Sequence, residues 1–329
     1  MFVRILGSAA GGGVPQWNCG CQVCDATRSG SRPVTRRRSC TIAVGDGAGG
    51  WFLGNAGPDL DAALGDCADL WPGTGQSTAP IHGVFLTDAE LDHTSGLLSL
   101  RQAAELHLYA TAAVRALLTH CGMLPTLESY TVIRWHEVRP GERFTLRYRD
   151  GSASPIWCEP FDASCGRLPR YARGTVPSGR GDSQGDLPQG GDPGSGVVIG
   201  YRITDQRTAR SVVFLPSVAV LGDTALRHID QAHLVLVDGT FWVDDEMSQH
   251  GRGTATARSM GHLPVSGADG SLRLLGQPAG TRTGTPTGTQ VVYTHINNTN
   301  PMLFEDGPER ALLANAGAST AEDGAQYEL

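Results

Sequence analysis

A group of side chains that could bind a cation directly follows a strand-like run of apolar residues, Val84–Thr87. The group consists of Asp88, Glu90, Asp92 and His93. Its three carboxylates alternate with uncharged residues, so an extended segment would point all three to one side. Carboxylates crowded on one face repel one another unless a cation neutralises them. The pattern therefore predicts a metal site; the alternative is a charged strand-to-helix turn in which Asp92 or Thr94 caps the helix.

Three cysteines near the N-terminus form a second candidate metal site. Cys19, Cys21 and Cys24 have the spacing C-x-C-x-x-C, which lets three thiolates surround one ion. The spacing predicts a structural zinc that takes a fourth ligand from elsewhere; the alternative is a set of free thiols or a redox pair. The remaining cysteines are scattered and are predicted to be ordinary buried residues: Cys40, Cys67, Cys121, Cys158 and Cys165.

Two histidines in the C-terminal part of the chain stand at predicted element boundaries. Asp238 directly follows the strand-like run Leu234–Val237, and His262 follows a glycine. His295 comes just after the strand-like run Gln290–Tyr293. Functional side chains are often placed on such loops by a rigid scaffold. We therefore interpret these two histidines, together with His93, as site residues and the other seven as core or surface residues.

Composition excludes several classes of function. All 26 basic residues of the 329-residue chain are arginine, so P-loop and Schiff-base chemistry, which need a lysine, are excluded. The net charge of −7 argues against binding to nucleic acid. No apolar run approaches the roughly 18 residues of a membrane span, so no membrane insertion is expected. The apolar start of the chain indicates a first strand rather than a signal peptide, which favours a cytoplasmic, reducing location.

The order of predicted elements favours an α/β fold with layers. Strand-like runs lie close together early in the chain, and helical patterns, such as Leu97–Ala104, are interspersed later. We predict a single domain over residues 1–329 with a flexible insert at 174–196, because that insert is rich in Gly, Pro, Ser, Asp and Gln. The Gly/Thr-rich stretch Gly276–Gly288 is predicted to be a second loop.

The segment around His93 resembles the signature of the metallo-β-lactamase superfamily, His-x-His-x-Asp-His-x-x-Gly. Asp92, His93 and Gly96 match it, whereas Asp88 and Glu90 stand where the two leading histidines would be. The resemblance implies a four-layer αββα sandwich with mixed sheets. The departure disfavours a conventional two-zinc hydrolase, because two imidazole ligands are missing.

Five longer motifs narrow the resemblance to one family. They are Gly-Val-Pro-Gln-Trp-Asn-Cys-Gly-Cys at 13–21, Phe-Leu-Thr-Asp-Ala-Glu-Leu-Asp-His-Thr at 85–94, Asp-Gly-Thr-Phe-Trp-Val-Asp-Asp-Glu-Met at 238–247, Met-Gly-His-Leu-Pro-Val-Ser at 260–266 and His-Ile-Asn-Asn-Thr-Asn-Pro at 295–301. Together they are similar to the pyrroloquinoline quinone (PQQ) biosynthesis protein B family, along the chain from Phe2 to Leu329. Membership implies a cytoplasmic protein that helps to make the quinone cofactor.

The resemblance also implies roles for individual residues. The implied ligands of one active-site metal are Asp92, His93, His262 and His295, with Asp88 as a further candidate. The implied catalytic residues are Asp92, His93, Asp238, His262 and Glu90. Asp238 or Glu90 would shuttle protons, and His262 is an alternative contact for a phenol. A related phosphodiesterase branch implies a structural zinc on the cysteines, with Asn298 at the position of the fourth ligand.

Two histidines and a carboxylate are the ligand type of non-haem Fe(II) oxygenases, so Fe²⁺ is favoured, with Zn²⁺ or Mn²⁺ as alternatives. The family resemblance implies that O₂ hydroxylates the tyrosine-derived ring of a Glu–Tyr precursor of PQQ, either a small molecule or a short peptide. Two alternatives stay open: a metal-dependent hydrolase of the precursor peptide, and a carrier that moves PQQ or its precursor toward the periplasm. A homodimer is also left open.

Overall fold

The computed structural model describes residues 1–163, 165–172, 196–276 and 288–329. Apart from Gly196, the predicted insert 174–196 lies outside the described residues. The predicted loop Gly276–Gly288 also lies outside them, except for its two end residues. Within the described ranges, no helix has the length and apolarity that crossing a bilayer would need.

The described strands form two mixed sheets of seven strands each. The strands are β1 Phe2–Gly7, β2 Thr41–Gly45, β3 Trp51–Gly54, β4 Ile81–Phe85, β5 Glu105–Ala110, β6 Val132–Glu137, β7 Phe144–Arg147, β8 Ala153–Asp162, β9 Ile199–Asp205, β10 Ser211–Leu215, β11 Leu234–Asp238, β12 Gln290–Thr294, β13 Ala318–Thr320 and β14 Gln326–Glu328. The first sheet has the order β14-β1-β2-β3-β4-β5-β6, and the second β13-β12-β11-β10-β9-β8-β7.

Each sheet is antiparallel in one half and parallel in the other. Strands β3 to β6 run parallel in the first sheet, and β10 to β13 run parallel in the second. Every residue of the central strand β11, Leu-Val-Leu-Val-Asp, is buried, as expected for a parallel strand that is covered on both faces.

Nine α-helices connect the strands in the part of the chain that the structure describes. They are α1 Gln22–Ser29, α2 Leu60–Gly65, α3 Leu91–Thr94, α4 Ala112–His120, α5 Met123–Glu128, α6 Asp223–Asp230, α7 Glu246–Gln249, α8 Ser271–Leu275 and α9 Pro308–Asn315. In the first sheet α2 contacts β1 and α5 contacts β6; in the second, α6 contacts β8 and β9, and α9 contacts β13. This arrangement is the four-layer αββα sandwich expected from the sequence.

Aromatic side chains hold the two sheets together. Phe85 of β4 packs edge-on against Tyr201 of β9, with ring centroids 5.2 Å apart, and against Phe214 of β10 at 6.4 Å. All three are fully buried. These three residues belong to one of two clusters of buried apolar residues. Their neighbours along the strands, such as Val84 and Leu215, belong to the second cluster, which includes helix residues such as Leu117 of α4. Alternation along the strands therefore builds one core between the sheets and another beneath the helices.

The predicted helix Leu97–Ala104 is wrong. The α-helical turn α3 ends at Thr94, and a 3₁₀ helix covers Ser95–Leu100. A Cβ atom at Gly96 would lie 2.0 Å from the backbone oxygen of Gly57, so two backbone segments pack here without side chains between them. This tertiary packing holds the start of the segment in place, and periodicity alone does not predict it.

Candidate metal centres

Site residues that are distant in sequence meet in a cavity of about 200 Å³ at the carboxyl ends of β4, β11 and β12. Six predicted site residues line it: Asp88, Glu90, Asp92, His93, His262 and His295. Asp238 is the last residue of β11 and is completely buried, in contact with His262. Carboxyl ends of parallel strands in α/β folds are where ligands commonly bind.

A chain of buried polar groups holds His93. Its Nδ1 lies 2.9 Å and 2.7 Å from the two carboxylate oxygens of Asp88. The Thr87 hydroxyl donates to Asp88 at 2.9 Å. The Asn55 amide donates to that hydroxyl and accepts from the Thr87 backbone N–H, both at 3.0 Å. With Nδ1 engaged, Nε2 is the ring nitrogen available to a ligand, and it is buried without a hydrogen-bond partner among the described residues.

Charges around His93 show what a cation would replace. Burial alone would lower the pKa of His93, but the charges of Asp88 and Asp92 outweigh burial and raise that pKa to about 9. Burial would raise the pKa of Asp92, but His93 and His295 outweigh it and lower that pKa. Without a metal, a protonated imidazole therefore sits between carboxylates, at the position where a metal cation would take over the positive charge.

Asp92 and His295 converge on the same side of the cavity. Asp92 Oδ2 lies 3.1 Å from His295 Nε2, and the rings of His93 and His295 have centroids 4.8 Å apart. His295 has a left-handed backbone, with φ 54°, which is uncommon outside glycine and is a feature of functional sites. Asp92, His93 and His295 each bring a ligand atom within 4.8 Å of the others.

Asp238 and Thr240 orient the other two imidazoles. Asp238 Oδ2 lies 2.8 Å from His262 Nδ1 and accepts from the Val218 N–H, while Oδ1 accepts from the backbone N–H and hydroxyl of Thr240. Because the Thr240 proton goes to Asp238, its oxygen accepts from His295 Nδ1 at 2.8 Å. That hydrogen bond would keep the proton of His295 on Nδ1 if a metal ion took the place of the contact between Nε2 and Asp92, and the Nε2 lone pair would then face the metal. Asp238, His262 and His295 form a second group whose ligand atoms lie within 4.8 Å.

These residues fit a divalent metal ion. A buried imidazole nitrogen that has no hydrogen-bond partner among the described residues, a second imidazole held through its Nδ1, and a carboxylate converge on one point. Carboxylates or a hydroxyl hold the opposite nitrogen of each ring, as is usual for histidines that bind metals. The donor set of nitrogen and oxygen suits Fe²⁺, Mn²⁺ or Zn²⁺.

Two expectations for this segment are wrong. Asp88, Glu90 and Asp92 do not share one face of an extended segment: Asp88 turns toward His93, whereas Asp92 lies within α3. The helix is not capped by Asp92 or Thr94 either, because Glu90 occupies the N-cap position, without a side-chain cap bond. Asp88 is absent from the groups of converging ligand atoms found among the described residues, so its position is that of a partner of His93 rather than of a metal ligand.

The cysteines form a separate, closed cluster. The sulphur atoms of Cys19, Cys21 and Cys24 lie within 4.8 Å of one another, and all three residues are buried. Cys21 also caps α1, since its sulphur accepts from the Cys24 N–H. Burial raises the pKa of the Cys21 thiol to about 12. Three soft sulphur donors in a buried turn fit a structural zinc ion.

Asn298 joins this cluster, as the resemblance implied. Its side-chain Nδ2 lies 3.2 Å from Cys24 Sγ, and its backbone oxygen lies 3.1 Å from Cys21 Sγ. In this orientation the amide nitrogen faces sulphur as a hydrogen-bond donor. A 180° turn of the amide would present its oxygen instead. Asn298 is three residues beyond His295, so one short segment reaches both metal centres.

Sequence reasoning missed the residues that stand behind the ligands. Asn55 and Thr240 bind no metal in this arrangement, yet they fix Asp88 and His295. The only signal for Asn55 was its place just after the strand-like run Trp51–Leu53. Cys165, which was expected to be an ordinary core residue, lines the cavity.

Comparisons with known proteins agree with this geometry. A model of the beta-lactamase superfamily domain matches residues 50–296. Coenzyme PQQ synthesis protein B of Cupriavidus necator is 38% identical over 99% of both chains, and that of Pseudomonas putida is 36% identical over 100% of both.

Solved structures agree as well. The crystal structure of Zn²⁺-bound PqqB from Methylobacterium extorquens superposes with a TM-score of 0.84, at 31% identity over 100% of both chains. A diphosphatase of the PhnP family has a TM-score of 0.63 at 18% identity, over 100% of this chain and 97% of the other, and shares the fold alone. The expected metallo-β-lactamase fold is thereby confirmed. With relatives of this identity along its whole length, the chain belongs to the coenzyme PQQ synthesis protein B family, within the beta-lactamase superfamily.

Proposed function

We propose that this chain, which takes part in coenzyme PQQ synthesis, is a metal-dependent oxygenase that hydroxylates the tyrosine-derived ring of a Glu–Tyr precursor. One observation carries the proposal. Asp92, His93 and His295 bring two imidazoles and one carboxylate to a single point of a cavity. Two histidines and one carboxylate with open positions are the ligand set of non-haem Fe(II) oxygenases.

The ligands of the active-site metal would be Asp92, His93 and His295, with His262 as a fourth ligand or as a contact for the phenol. Fe²⁺ is the metal we favour, and Mn²⁺ or Zn²⁺ are the alternatives. When bound, Fe²⁺ would supply the redox chemistry by which O₂ is activated beside the ring.

The chain's own groups position the substrate and move protons. Glu90 lines the cavity, so it can exchange a proton with a phenol there. Asp238 is less suited to that role, because it is completely buried and both its oxygens are already hydrogen-bonded. We therefore assign Asp238 to holding His262 and Glu90 to proton transfer.

The hydrolase alternative has less support. A two-metal hydrolase would need further ligands at the positions of Asp88 and Glu90. Both oxygens of Asp88 are instead occupied by His93, Thr87 and the Glu90 N–H. A carrier of PQQ would use the cavity without turnover, so turnover separates it from the oxygenase.

The test is O₂ uptake by anaerobically reconstituted protein. Protein loaded with Fe²⁺, Mn²⁺ or Zn²⁺ is mixed with a Glu–Tyr-derived precursor and a chemical reductant, because inserting one oxygen atom from O₂ consumes two electrons. We expect O₂ uptake and a product heavier by one oxygen atom with Fe²⁺ alone. A cleaved precursor with Zn²⁺ would instead support the hydrolase, and tight binding of PQQ without turnover would support the carrier.

A further inference from the structure

The cavity carries opposite charges on different parts of its lining. The segment 88–92, which joins β4 to α3, contributes Asp88, Glu90 and Asp92. The segment 165–172 contributes Arg167 and Arg170, which are the only arginines among the described lining residues. Arg167 and Arg170 attract an anionic group on a ligand to a part of the lining that is distinct from the candidate metal ligands, whose carboxylate charges a bound cation would neutralise.

Segment 165–172 is tied to both loops that carry metal ligands. The Arg167 guanidinium donates from Nη1 to the backbone oxygen of Met260, two residues before His262. On the other side, the Tyr171 hydroxyl donates to the backbone oxygen of Ala89 at 2.7 Å, between Asp88 and Glu90. These two hydrogen bonds fix where the arginines stand relative to the ligands.

The turn before His262 packs closely against the same segment. Gly261 has φ +87°, and a Cβ atom there would lie 2.7 Å from Cys165 Sγ and 3.6 Å from Arg167 Cδ. A side chain at position 261 would therefore displace the segment. This close contact supports a fixed rather than an incidental position for Arg167.

We propose that Arg167 and Arg170 bind a carboxylate of the substrate and direct its ring toward Asp92, His93 and His295. Guanidinium groups form paired, charge-assisted hydrogen bonds with carboxylates. Arg170 is exposed and has no hydrogen-bond or ion-pair partner in the part of the chain that the structure describes. It can therefore bind a carboxylate without first losing a hydrogen bond or an ion pair to those residues.

The substrate class that follows is a phenol that carries at least one free carboxylate. The identity of the ring rests on the proposed function, whereas carboxylate binding can be measured without turnover.

The test compares binding of PQQ, an aromatic tricarboxylate, with binding of its trimethyl ester to metal-loaded protein by calorimetry. We expect Arg170→Gln and Arg167→Gln each to weaken PQQ binding roughly tenfold, because a hydrogen bond to a charged group contributes at least that much. The ester should bind wild type as weakly as PQQ binds the double variant. Arg210→Gln is the matched control, because Arg210 is exposed and precedes β10, whose other end leads to the cavity.

Unchanged PQQ affinity in Arg170→Gln and in the double variant, or an ester that binds as tightly as the acid, would overturn the proposal. Equal displacement of PQQ by inorganic pyrophosphate would overturn the assignment to carboxylates and indicate a general anion site. Arg170→Gln guards against misfolding, since the exposed Arg170 side chain makes no hydrogen bond or ion pair with the described residues that folding would lose. If O₂ uptake fails while these affinity differences hold, the proposed oxygenase is wrong and the carboxylate site stands.

Discussion

The two candidate metal centres share one segment of chain but differ in how they are enclosed. At the cysteine cluster the three cysteines and Asn298 are buried, and none of these residues exposes more than 8% of its surface. At the cavity, the His262 side chain keeps 15% exposure and that of Asp92 keeps 19%. Closed tetrahedral sites stabilise folds, whereas sites that keep a position open carry out chemistry. The enclosure of each centre therefore predicts its role.

The hydrogen-bond partners of the candidate ligands also differ between the two centres. Around the cysteines, the neighbours donate directly to the sulphur atoms, as Asn298 and Arg252 do. In the cavity the neighbours bind the far side of each imidazole and leave one nitrogen for a ligand, as Asp88 does for His93. The partners at the cysteines satisfy the sulphur atoms themselves. The partners in the cavity orient each imidazole and leave its other nitrogen available to a metal. Four predictions follow from this contrast, in order of expected effect.

Substitution at the open centre should abolish turnover and spare the fold. We expect His93→Ala to lower turnover by more than about 100-fold, because losing even an outer partner of a ligand costs roughly 10- to 100-fold in affinity or activity. Metal analysis should show loss of the cavity metal and retention of the cysteine-bound zinc. His250→Ala, outside the cavity lining, is the control; retained turnover in His93→Ala would remove this residue from the site.

Substitution at the closed centre should have the opposite effect. We expect Cys21→Ser to release one zinc ion and to lower the free energy of unfolding by roughly 3 kcal/mol or more, since binding energy at a structural site is folding energy. Cys67→Ser, another buried free thiol, controls for the loss of a sulphur atom. An unchanged thermal midpoint and zinc content in Cys21→Ser would show that the cluster is not a structural metal site.

Metal affinity at the cavity should depend on pH. The Asp88 and Asp92 charges, which outweigh burial, raise the pKa of His93 to about 9 in the metal-free protein, so a proton must leave before a metal binds. Affinity should rise about tenfold per pH unit from pH 7 until it levels near pH 9. The His93 contribution to stability of the metal-free protein has the opposite sign: it is complete below the unfolded pKa of about 6.5 and is lost as pH rises through 9.

Calorimetry in two buffers of different ionisation enthalpy measures the released proton. Asp88→Asn should move the levelling point to lower pH, because it removes one of the charges that raise the pKa of His93. Binding that is independent of pH between 7 and 9 would contradict the assignment of His93 as a ligand.

The smallest predicted effect on metal binding is that of a substitution at Asn55, which contacts His93 only through Thr87 and Asp88. Asn55 has a left-handed backbone, with φ 64°, which glycine also adopts without strain. Asn55→Gly therefore removes the side chain and keeps the backbone. We expect roughly tenfold weaker metal binding and a lower kcat with little change in KM. Asn55→Asp, which keeps the acceptor for the Thr87 N–H, should recover part of the affinity. Equal metal binding in the wild type and both variants would show that the hydrogen bonds from Asn55 through Thr87 do not position His93.

Much of the site could be predicted from the sequence, because its residues follow strands whose ends meet. Asp92, His93 and His295 were found from spacing and from element boundaries, and the cysteines from spacing alone. The orientation of Asp88 was mispredicted because alternation assumes an extended segment, whereas α3 begins three residues later, at Leu91. The hydrogen-bond partner of each ligand depends on contacts between β3, β4 and α3, and a local sequence pattern does not predict such contacts.

The missed elements have similar causes. Strand β8 contains Pro155 and Pro160, which argue against a strand inside a sheet, yet it lies between β7 and β9. Helix α1 begins at a cysteine cap rather than at the Ser, Thr, Asp or Asn that helix starts favour. In both places tertiary pairing or the cysteine cluster outweighs local preference.

Stepwise removal of metal tests the division of roles most directly. Protein loaded at both centres is titrated with a chelator while metal content, O₂ uptake with the precursor and the thermal midpoint are followed in each sample. We predict two steps: the first ion leaves from the cavity and takes turnover with it while the midpoint changes little, and the second leaves from the cysteines and lowers the midpoint by several degrees. Loss of turnover only with the second ion, or a midpoint that falls with the first, would contradict the account.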